Sequence, residues 1–191
     1  MIIKVLTVRS MLKIESGCLR GKKVDTVKDM RTRYTAAIVR RSLANMVDFE
    51  NKLCADICCG SGVVGFEMIS NGAKCVTFVD TSNLSVATVK RNSENLSVDH
   101  SVVIIKNDAR RFLESYNGFF DIIYSDPPYE LGIVEDIIKR VHNVMNEESI
   151  FILQCSKREK PVDSILKNVR IIKERDYGDT FLLFFEKIRN L

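Results

Sequence analysis

Four consecutive residues, Asp126-Pro127-Pro128-Tyr129, have the types needed to bind a planar ring that carries an amino group. They follow an apolar run at residues 119–124, which predicts a buried strand, so we expect a loop at that strand's carboxyl end. The two prolines have fixed φ angles and no N–H groups, which leaves nearby backbone carbonyls free as acceptors. One carboxylate, two carbonyls and one aromatic ring could hold the amino nitrogen and stack on its ring. The same residues would also suit an ordinary strand-to-helix turn.

A glycine-rich loop at residues 56–65 is the second candidate site. Its centre is Gly60-Ser61-Gly62, directly after a predicted strand. Glycines allow the backbone to turn tightly and to approach a ligand closely at the carboxyl edge of a parallel sheet. With Gly65 they match the dinucleotide-binding fingerprint, and Asp80 follows at about 20 residues, as a ribose acceptor would. A nicotinamide enzyme is therefore one interpretation.

Three carboxylates favour S-adenosylmethionine as the cofactor. Asp56 precedes the glycines, where it would repel a pyrophosphate but attract the ammonium of an amino acid. Asp80 would accept hydrogen bonds from the ribose, and Asp108-Ala109, after the third predicted strand, would receive the adenine. These positions match the three polar parts of S-adenosylmethionine. For Asp108 alone, a helix N-cap explains the residue equally well.

The composition predicts one domain-sized core, because 46% of the 191 residues are hydrophobic. No apolar run approaches the roughly 18 residues that cross a bilayer, so we expect a cytoplasmic protein. Six cysteines lack the C-x-x-C spacing of metal sites, and the chain has only two histidines. We therefore expect reduced thiols and no metal site.

The positive charge is concentrated near the amino terminus. Residues 1–41 contain 11 Lys or Arg against 3 Asp or Glu, a net charge of +8, whereas the remainder of the chain carries −4. Such a difference between segments indicates a polyanionic partner, and we expect this segment to contact nucleic acid. The predicted RNA-contacting residues are Arg20, Lys22, Lys23, Arg31, Arg33 and Arg40.

The basic segment is predicted to form a hairpin followed by a helix. Short strand-like runs in residues 11–24 are interrupted at glycines, which favours a small hairpin. Apolar residues then recur at helical spacing from Val39 to Val47, which predicts a helix with Arg40 and Arg41 off its apolar face. We expect this helix to dock the segment onto the rest of the protein.

Beyond residue 48 the chain alternates strand and helix patterns, which predicts a parallel sheet with crossover helices. The clearest helix places Val134, Ile138, Val141 and Met145 on one face. The last two strands are joined through residues 176–179, a link too short for a helical crossover, so they form an antiparallel hairpin. The predicted strands are Leu53–Cys58, Cys75–Asp80, Val102–Lys106, Phe119–Ser125, Ile150–Cys155, Val169–Lys173 and Phe181–Glu186.

Taken in order, the motifs resemble the Rossmann-like class I methyltransferases that act on exocyclic amino nitrogens. These motifs are Asp56-x-x-x-Gly60-Ser61-Gly62, Phe78-Val79-Asp80, Asn107-Asp108-Ala109 and Asp126-Pro127-Pro128-Tyr129. A wider set over about residues 11–188 resembles the RsmD-type bacterial 16S ribosomal RNA guanine-N2 methyltransferases. It comprises Arg20-Gly21-Lys22-Lys23, Arg33-Tyr34-Thr35, Ser70-Asn71-Gly72-Ala73 and Tyr177-Gly178-Asp179-Thr180. The family usually has proline where Tyr34 stands.

The resemblance implies an α/β fold with a seven-stranded, mostly parallel sheet, S-adenosylmethionine as cofactor, and 16S rRNA or the small ribosomal subunit as partner. It implies that Asp126, Pro127, Pro128 and Tyr129 form the catalytic loop. We expect residues 1–47 to form the RNA-contacting arm and residues 48–191 the methyltransferase domain, in a monomer that uses neither membrane nor metal. Two alternatives stay open: a methyltransferase acting on adenine N6 or cytosine N4, and a noncatalytic RNA-binding or ribosome-assembly protein.

Overall fold

The computed structural model describes residues 11–27, 35–128 and 132–189. Three predicted site residues, Arg31, Arg33 and Tyr129, lie outside these ranges. No helix in the described ranges is long and apolar enough to cross a membrane. The strands are β1 (Met11–Lys13), β2 (Lys23–Asp25), β3 (Leu53–Ile57), β4 (Cys75–Asp80), β5 (Val102–Lys106), β6 (Phe120–Ser125), β7 (Met145–Ser156), β8 (Val169–Asp176) and β9 (Thr180–Lys187). The α-helices are α1 (Ala37–Met46), α2 (Val63–Ser70), α3 (Asn83–Leu96), α4 (Ala109–Ser115) and α5 (Ile133–Val141).

Seven strands form one sheet in the order β5-β4-β3-β6-β7-β9-β8. Neighbours from β5 to β7 pair in parallel, and β9 pairs antiparallel with both β7 and β8. The predicted parallel sheet with an antiparallel carboxyl-terminal hairpin is confirmed. The chain moves outward from β3 to β5 and then returns to place β6 on the other side of β3. The topological switch point therefore lies between β3 and β6, where sheets of this class bind ligands at the carboxyl ends of their strands.

The register of these two strands brings the predicted motifs together. Asp56 of β3 is paired with Tyr124 of β6, and Ile57 is paired with Ser125. The glycine loop after β3 and the loop containing Asp126 after β6 therefore leave the sheet side by side. Both strands are mostly apolar, as expected for strands of a parallel sheet that helices cover on both faces.

Alternate residues of the central strands face two separate hydrophobic cores. In β6, Ile122 and Tyr124 pack into one core, and Ile123 packs into the other. The first core also contains apolar side chains of α1, α2 and α3, whereas the second contains those of α4 and α5. Helices on both faces thus fix the sheet and, with it, the loops at its carboxyl edge.

The basic hairpin of β1 and β2 packs onto the first core. Its strands pair antiparallel, as predicted, and Ile14 and Val24 are both fully buried there. Asn92 of α3 accepts a hydrogen bond from the backbone N–H of Asp25 at 2.9 Å and donates to that residue's carbonyl at 3.0 Å. Deleting the hairpin would therefore expose part of the core that supports α2 and α3.

One helix prediction was wrong at its end. The α5 helix ends at Val141, a short 3₁₀ turn covers His142–Val144, and Met145 begins β7. Met145 is buried, as expected, but in the strand and not on the helical face. An apolar residue at helical spacing cannot reveal by itself that the backbone has changed conformation, because burial is the same in both states.

Candidate active site

A cavity of about 910 Å³ opens at the carboxyl ends of the central strands. Its volume is in the range of sites that enclose a cofactor-sized ligand. Most of the residues predicted to bind or catalyse line it: Asp56, Gly60, Ser61, Asp80, Asp108, Ala109, Asp126, Pro127 and Pro128. Gly62 does not line the cavity; it is the N-cap of α2, between the lining residues Ser61 and Val63.

Two glycines of the loop are required by close packing. Gly62 has a φ of 77°, and a Cβ atom there would lie 2.9 Å from Cε1 of Phe78. At Gly65 a Cβ atom would lie 2.2 Å from the same ring atom. This close approach lets the N–H of Gly65 donate to Oδ2 of Asp56 at 2.9 Å. The loop therefore holds a buried carboxylate directly beneath the start of α2.

Burial controls the protonation of Asp56, which is 2% exposed. Desolvation raises the pKa of Asp56 to about 8, and the negative charges of Asp126 and Asp80 act in the same direction, against the hydrogen bond from Gly65. Because folding raises this pKa from its usual 3.8, the folded protein holds the proton more tightly than the unfolded chain. The stabilisation of the fold by this tighter proton binding at Asp56 is fully present below about pH 4 and is lost as the pH rises through about 8.

Asp80 lies at the end of β4 with both carboxylate oxygens held by backbone groups. The N–H of Gly60 donates to Oδ2 at 2.9 Å, and the N–H of Ser82 donates to Oδ1 at 2.8 Å. Each carboxylate oxygen has a further lone pair for an incoming hydroxyl group. This geometry suits an acceptor for the two hydroxyls of a ribose.

Asp108 is the N-cap of α4, so the simpler interpretation of this residue is correct. Its Oδ1 accepts from the backbone N–H groups of Arg110 and Arg111 at 2.9 and 3.4 Å. The guanidinium of Arg110 also contacts both carboxylate oxygens at 3.0 Å. The hydrogen bond from the Arg110 side chain is the main reason that the pKa of Asp108 is lowered. The residue still lines the cavity, so capping and ligand contact are compatible.

The carboxylate of Asp126, in the loop predicted to be catalytic, has a partner that the sequence did not suggest. The hydroxyl of Thr35 donates to Oδ2 of Asp126 at 3.0 Å, across 91 residues of sequence. Oγ1 of Thr35 also lies 3.4 Å from the hydroxyl of Tyr124, which donates to Oε1 of Gln154 at 2.9 Å. All four residues line the cavity. A single glutamine within the apolar run of β7 was the one signal in the sequence that could have indicated Gln154.

The cysteines of the glycine loop are unsuited to nucleophilic catalysis. Cys58 and Cys59 line the cavity, and burial raises the pKa of both thiols well above the usual value. They are therefore neutral at physiological pH, and a thiol is a much weaker nucleophile than a thiolate. Within the described ranges, no three His, Cys, Asp or Glu side chains are grouped so as to hold a metal ion.

The predicted RNA-contacting residues separate into two classes. Arg20, Lys22 and Lys23 are exposed on the hairpin. Arg40 is only 2% exposed, so its predicted contact with RNA is wrong. Its guanidinium donates to Oε1 of Glu67 on α2 at 3.1 Å and to the carbonyl of Lys13 in β1 at 2.9 Å. The positive charge of Arg40 does not by itself show whether the side chain lies at the surface or pairs with a buried carboxylate.

Comparison with known proteins decides the family. The model of the family described as Conserved hypothetical protein 95 matches residues 12–186. The chain belongs to this family. Its relatives include ribosomal RNA small subunit methyltransferase D of Buchnera aphidicola (subsp. Acyrthosiphon pisum), 28% identical over 170 residues, covering 87% of this chain and 88% of the relative. The protein of the same name from Haemophilus influenzae is 26% identical over 183 residues, covering 92% of this chain and 94% of the relative. The RsmD-type resemblance is confirmed.

Solved structures of other proteins share the fold of this chain. Escherichia coli yhhF matches with a TM-score of 0.81 at 21% identity, over 93% of this chain and 98% of that protein. SMU.776, solved in complex with SAH, matches with a TM-score of 0.71 at 13% identity, over 94% of this chain and 56% of that protein. The predicted class I methyltransferase fold is confirmed.

Proposed function

We propose that this protein transfers a methyl group from S-adenosylmethionine to the exocyclic N2 of a guanine in 16S ribosomal RNA. The observation that carries the proposal is the position of Asp126, a carboxylate fixed by a buried hydroxyl in the same cavity as Asp56 and Asp80. Family membership supports ribosomal RNA as the substrate, because relatives with matching length are ribosomal RNA small subunit methyltransferases. The RsmD-type motifs support guanine N2 as the target atom.

The residues of the cavity fit S-adenosylmethionine. Oγ of Ser61 is buried and has no hydrogen-bond partner among the described residues, although it lines the cavity. A ligand with a polar amino-acid end would supply that missing partner. Asp56 would bind the ammonium, Asp80 the ribose, and Asp108-Ala109 the adenine. When bound, the cofactor supplies an electrophilic methyl group on a sulfonium.

Asp126 and the carbonyl of Pro127 would prepare the amino group for attack. The lone pair of guanine N2 is delocalised into the ring, so the nitrogen is a weak nucleophile in its planar form. Two acceptors that bind its hydrogens favour the pyramidal form and stabilise the positive charge that develops on nitrogen. This stabilisation is greatest in the transition state, which is where it accelerates the reaction. Tyr129, outside the described residues, is expected to stack on the base.

The function can be tested by following a labelled methyl group. Small subunits that lack the modification are incubated with the protein and S-adenosyl-[methyl-¹⁴C]methionine, and the RNA is then digested to nucleosides. We expect label in a methylated guanosine. Label in adenosine or cytidine would favour the N6 or N4 alternatives, and cofactor binding without any transfer would favour a noncatalytic RNA-binding protein.

Cofactor binding is expected to release a proton. In the free protein the Asp56 carboxyl, with a pKa of about 8, is mostly protonated at pH 7. The cofactor's ammonium would favour the ionised form, so affinity should fall as the pH drops from about 7.5 to 6, approaching tenfold per pH unit. Calorimetry in two buffers of different ionisation enthalpy measures the released proton directly.

Asp56→Asn is the control for this proton release, because the amide cannot titrate but keeps the shape of the side chain. It should bind S-adenosylmethionine more weakly, with no buffer dependence of the heat. NAD serves as the control ligand and should give no binding heat. Equal heats in both buffers for the unmodified protein, or tight binding of NAD, would contradict the assignment of Asp56.

The exposed cations of the hairpin are expected to bind RNA phosphates. A variant with Arg20, Lys22 and Lys23 all changed to glutamine should bind RNA more weakly. Its plot of log affinity against log salt should be shallower by about 2–3, since each phosphate contact contributes about 0.7–0.9. Filter binding at several salt concentrations measures both quantities. Substitution is preferable to deletion, because Ile14 and Val24 of the hairpin are part of the core.

A matched variant controls for overall charge. Lys74, Lys139 and Lys167 are also exposed, and they belong to other parts of the fold. Changing these three to glutamine removes the same net charge and should leave the salt dependence nearly unchanged. If both triple variants reduced the slope equally, RNA would be attracted by general charge and not by the hairpin.

A further inference from the structure

Thr35 contacts the carboxylate of Asp126 directly. It is 6% exposed, and its hydroxyl lies 3.0 Å from Oδ2 of Asp126. An ionised carboxylate has no hydrogen to donate, so the hydroxyl is the donor. This hydrogen bond restricts rotation of the carboxylate and therefore fixes the direction in which it can accept another hydrogen.

The hydroxyl is itself held by rigid parts of the fold. The guanidinium of Arg40 donates to the backbone carbonyl of Thr35, and it is anchored to Glu67 of α2 at 3.1 Å. Arg40 and Glu67 are each only 2% exposed, so water competes little for these hydrogen bonds. On the other side, the hydroxyl of Tyr124 packs 3.4 Å from Oγ1 of Thr35.

We propose that Thr35 is a positioning residue for methyl transfer. Its hydroxyl holds the Asp126 carboxylate in the orientation that accepts a hydrogen bond from the target amino group, and Arg40 holds Thr35 in place. An acceptor that is oriented before the reaction does not have to be ordered during it, which is how a preorganised group lowers a barrier. The inference rests on the proposed function, in which Asp126 binds the amino group.

Substitutions at Thr35 separate positioning from packing. Thr35→Val keeps the shape but removes the hydroxyl, and it should lower kcat by about 10- to 100-fold, the usual effect of losing a hydrogen bond to a charged group. KM for RNA and the Kd for S-adenosylmethionine should not change. Thr35→Ser retains the hydroxyl and should retain most of the activity. Thr77→Val, at a buried threonine of β4 outside the cavity, controls for the general cost of such a change and should leave kcat unchanged.

A double variant decides whether Thr35 acts through Asp126. In an Asp126→Ala background, Thr35→Val should cause no further loss, because the group that Thr35 orients is absent. An equal loss in both backgrounds, a Thr35→Ser variant as slow as Thr35→Val, or unchanged activity of Thr35→Val would overturn the proposal. If Thr35→Val does not fold, Thr35→Ala replaces it, and failure of both to fold would make Thr35 structural and overturn it too.

Measuring label in total RNA tests the role of Thr35 separately from the identity of the methylated base. Label transferred to total RNA is measured whichever base receives it, so the result for Thr35 does not depend on guanine. Absence of transfer by the unmodified protein would reject the proposed function. Normal transfer that is insensitive to Thr35→Val would reject only the role of Thr35.

Discussion

Asp126→Ala is expected to lower the rate of methyl transfer by about 10²–10³-fold, as when one preorganised electrostatic partner is removed from an active site. In the proposed mechanism, Asp126 binds the amino hydrogens most strongly when positive charge develops on the nitrogen. Single-turnover kinetics with saturating S-adenosylmethionine measure this step. The stability of the fold should barely change, because Asp126 lies in a loop beyond the end of β6. Affinity for the cofactor should change far less than the rate, because Asp126 influences the pKa of Asp56 less than burial does.

Asp126→Asn is the matched variant for this prediction. The amide keeps one acceptor oxygen and the size of the side chain but loses the negative charge, so it should retain more activity than alanine. A second comparison is Asp99→Ala, which removes an exposed carboxylate that accepts a hydrogen bond from Ser93 of α3 and does not line the cavity. If Asp126→Ala transferred methyl groups at the normal rate, Asp126 would have no catalytic role.

The second large effect concerns stability. Arg40→Ala should reduce the free energy of unfolding by about 3–5 kcal/mol, because it leaves the buried carboxylate of Glu67 without its charged partner. It also removes the hydrogen bonds that the Arg40 guanidinium donates to the carbonyl of Lys13 in β1 and to the carbonyl of Thr35. Chemical denaturation monitored by circular dichroism gives the difference.

Arg41 supplies the neighbouring control. Its guanidinium pairs with Glu15 at 3.1 Å, but the side chain is 56% exposed. Exposed pairs contribute about 0–1 kcal/mol, so Arg41→Ala should have a small effect. A combined Arg40→Met and Glu67→Leu change should recover only part of the lost stability, because it removes both buried charges but leaves the backbone N–H groups of Glu15 and Ser16 without their acceptor. Equal effects of Arg40→Ala and Arg41→Ala would contradict the assignment of Arg40 to the interior.

The sheet and the main loops could be predicted because their signals are local in sequence. The β3–Gly60–α2 unit, the position of Asp80 at the end of β4 and the loop after β6 each follow from a short pattern of apolar residues, glycines and prolines. Alternation of strands and helices then requires the carboxyl ends to meet at one edge. The strand boundaries differ most in β7, which begins at Met145 instead of Ile150.

The contacts that could not be predicted join residues far apart in sequence. Arg40 is near Glu67 because α1 packs against α2, and a basic residue in a basic segment gives no sign of this partner. Thr35 and Asp126 meet because Thr35, two residues before α1, lies beside the loop that follows β6. Asp108 both caps α4 and lines the cavity. The sequence could not decide between a helix cap and a ligand-binding residue, because one side chain can be both.

The position of the new methyl group shows which atom of the RNA this protein methylates. Nucleosides from small-subunit RNA methylated by the unmodified protein are separated beside synthetic standards, and the labelled nucleoside is identified by mass and retention. We expect N2-methylguanosine, at a level that Asp126→Ala reduces by about 10²–10³-fold when product formation is compared at early times. Label in 1-methylguanosine, 7-methylguanosine, N6-methyladenosine or N4-methylcytidine would contradict it.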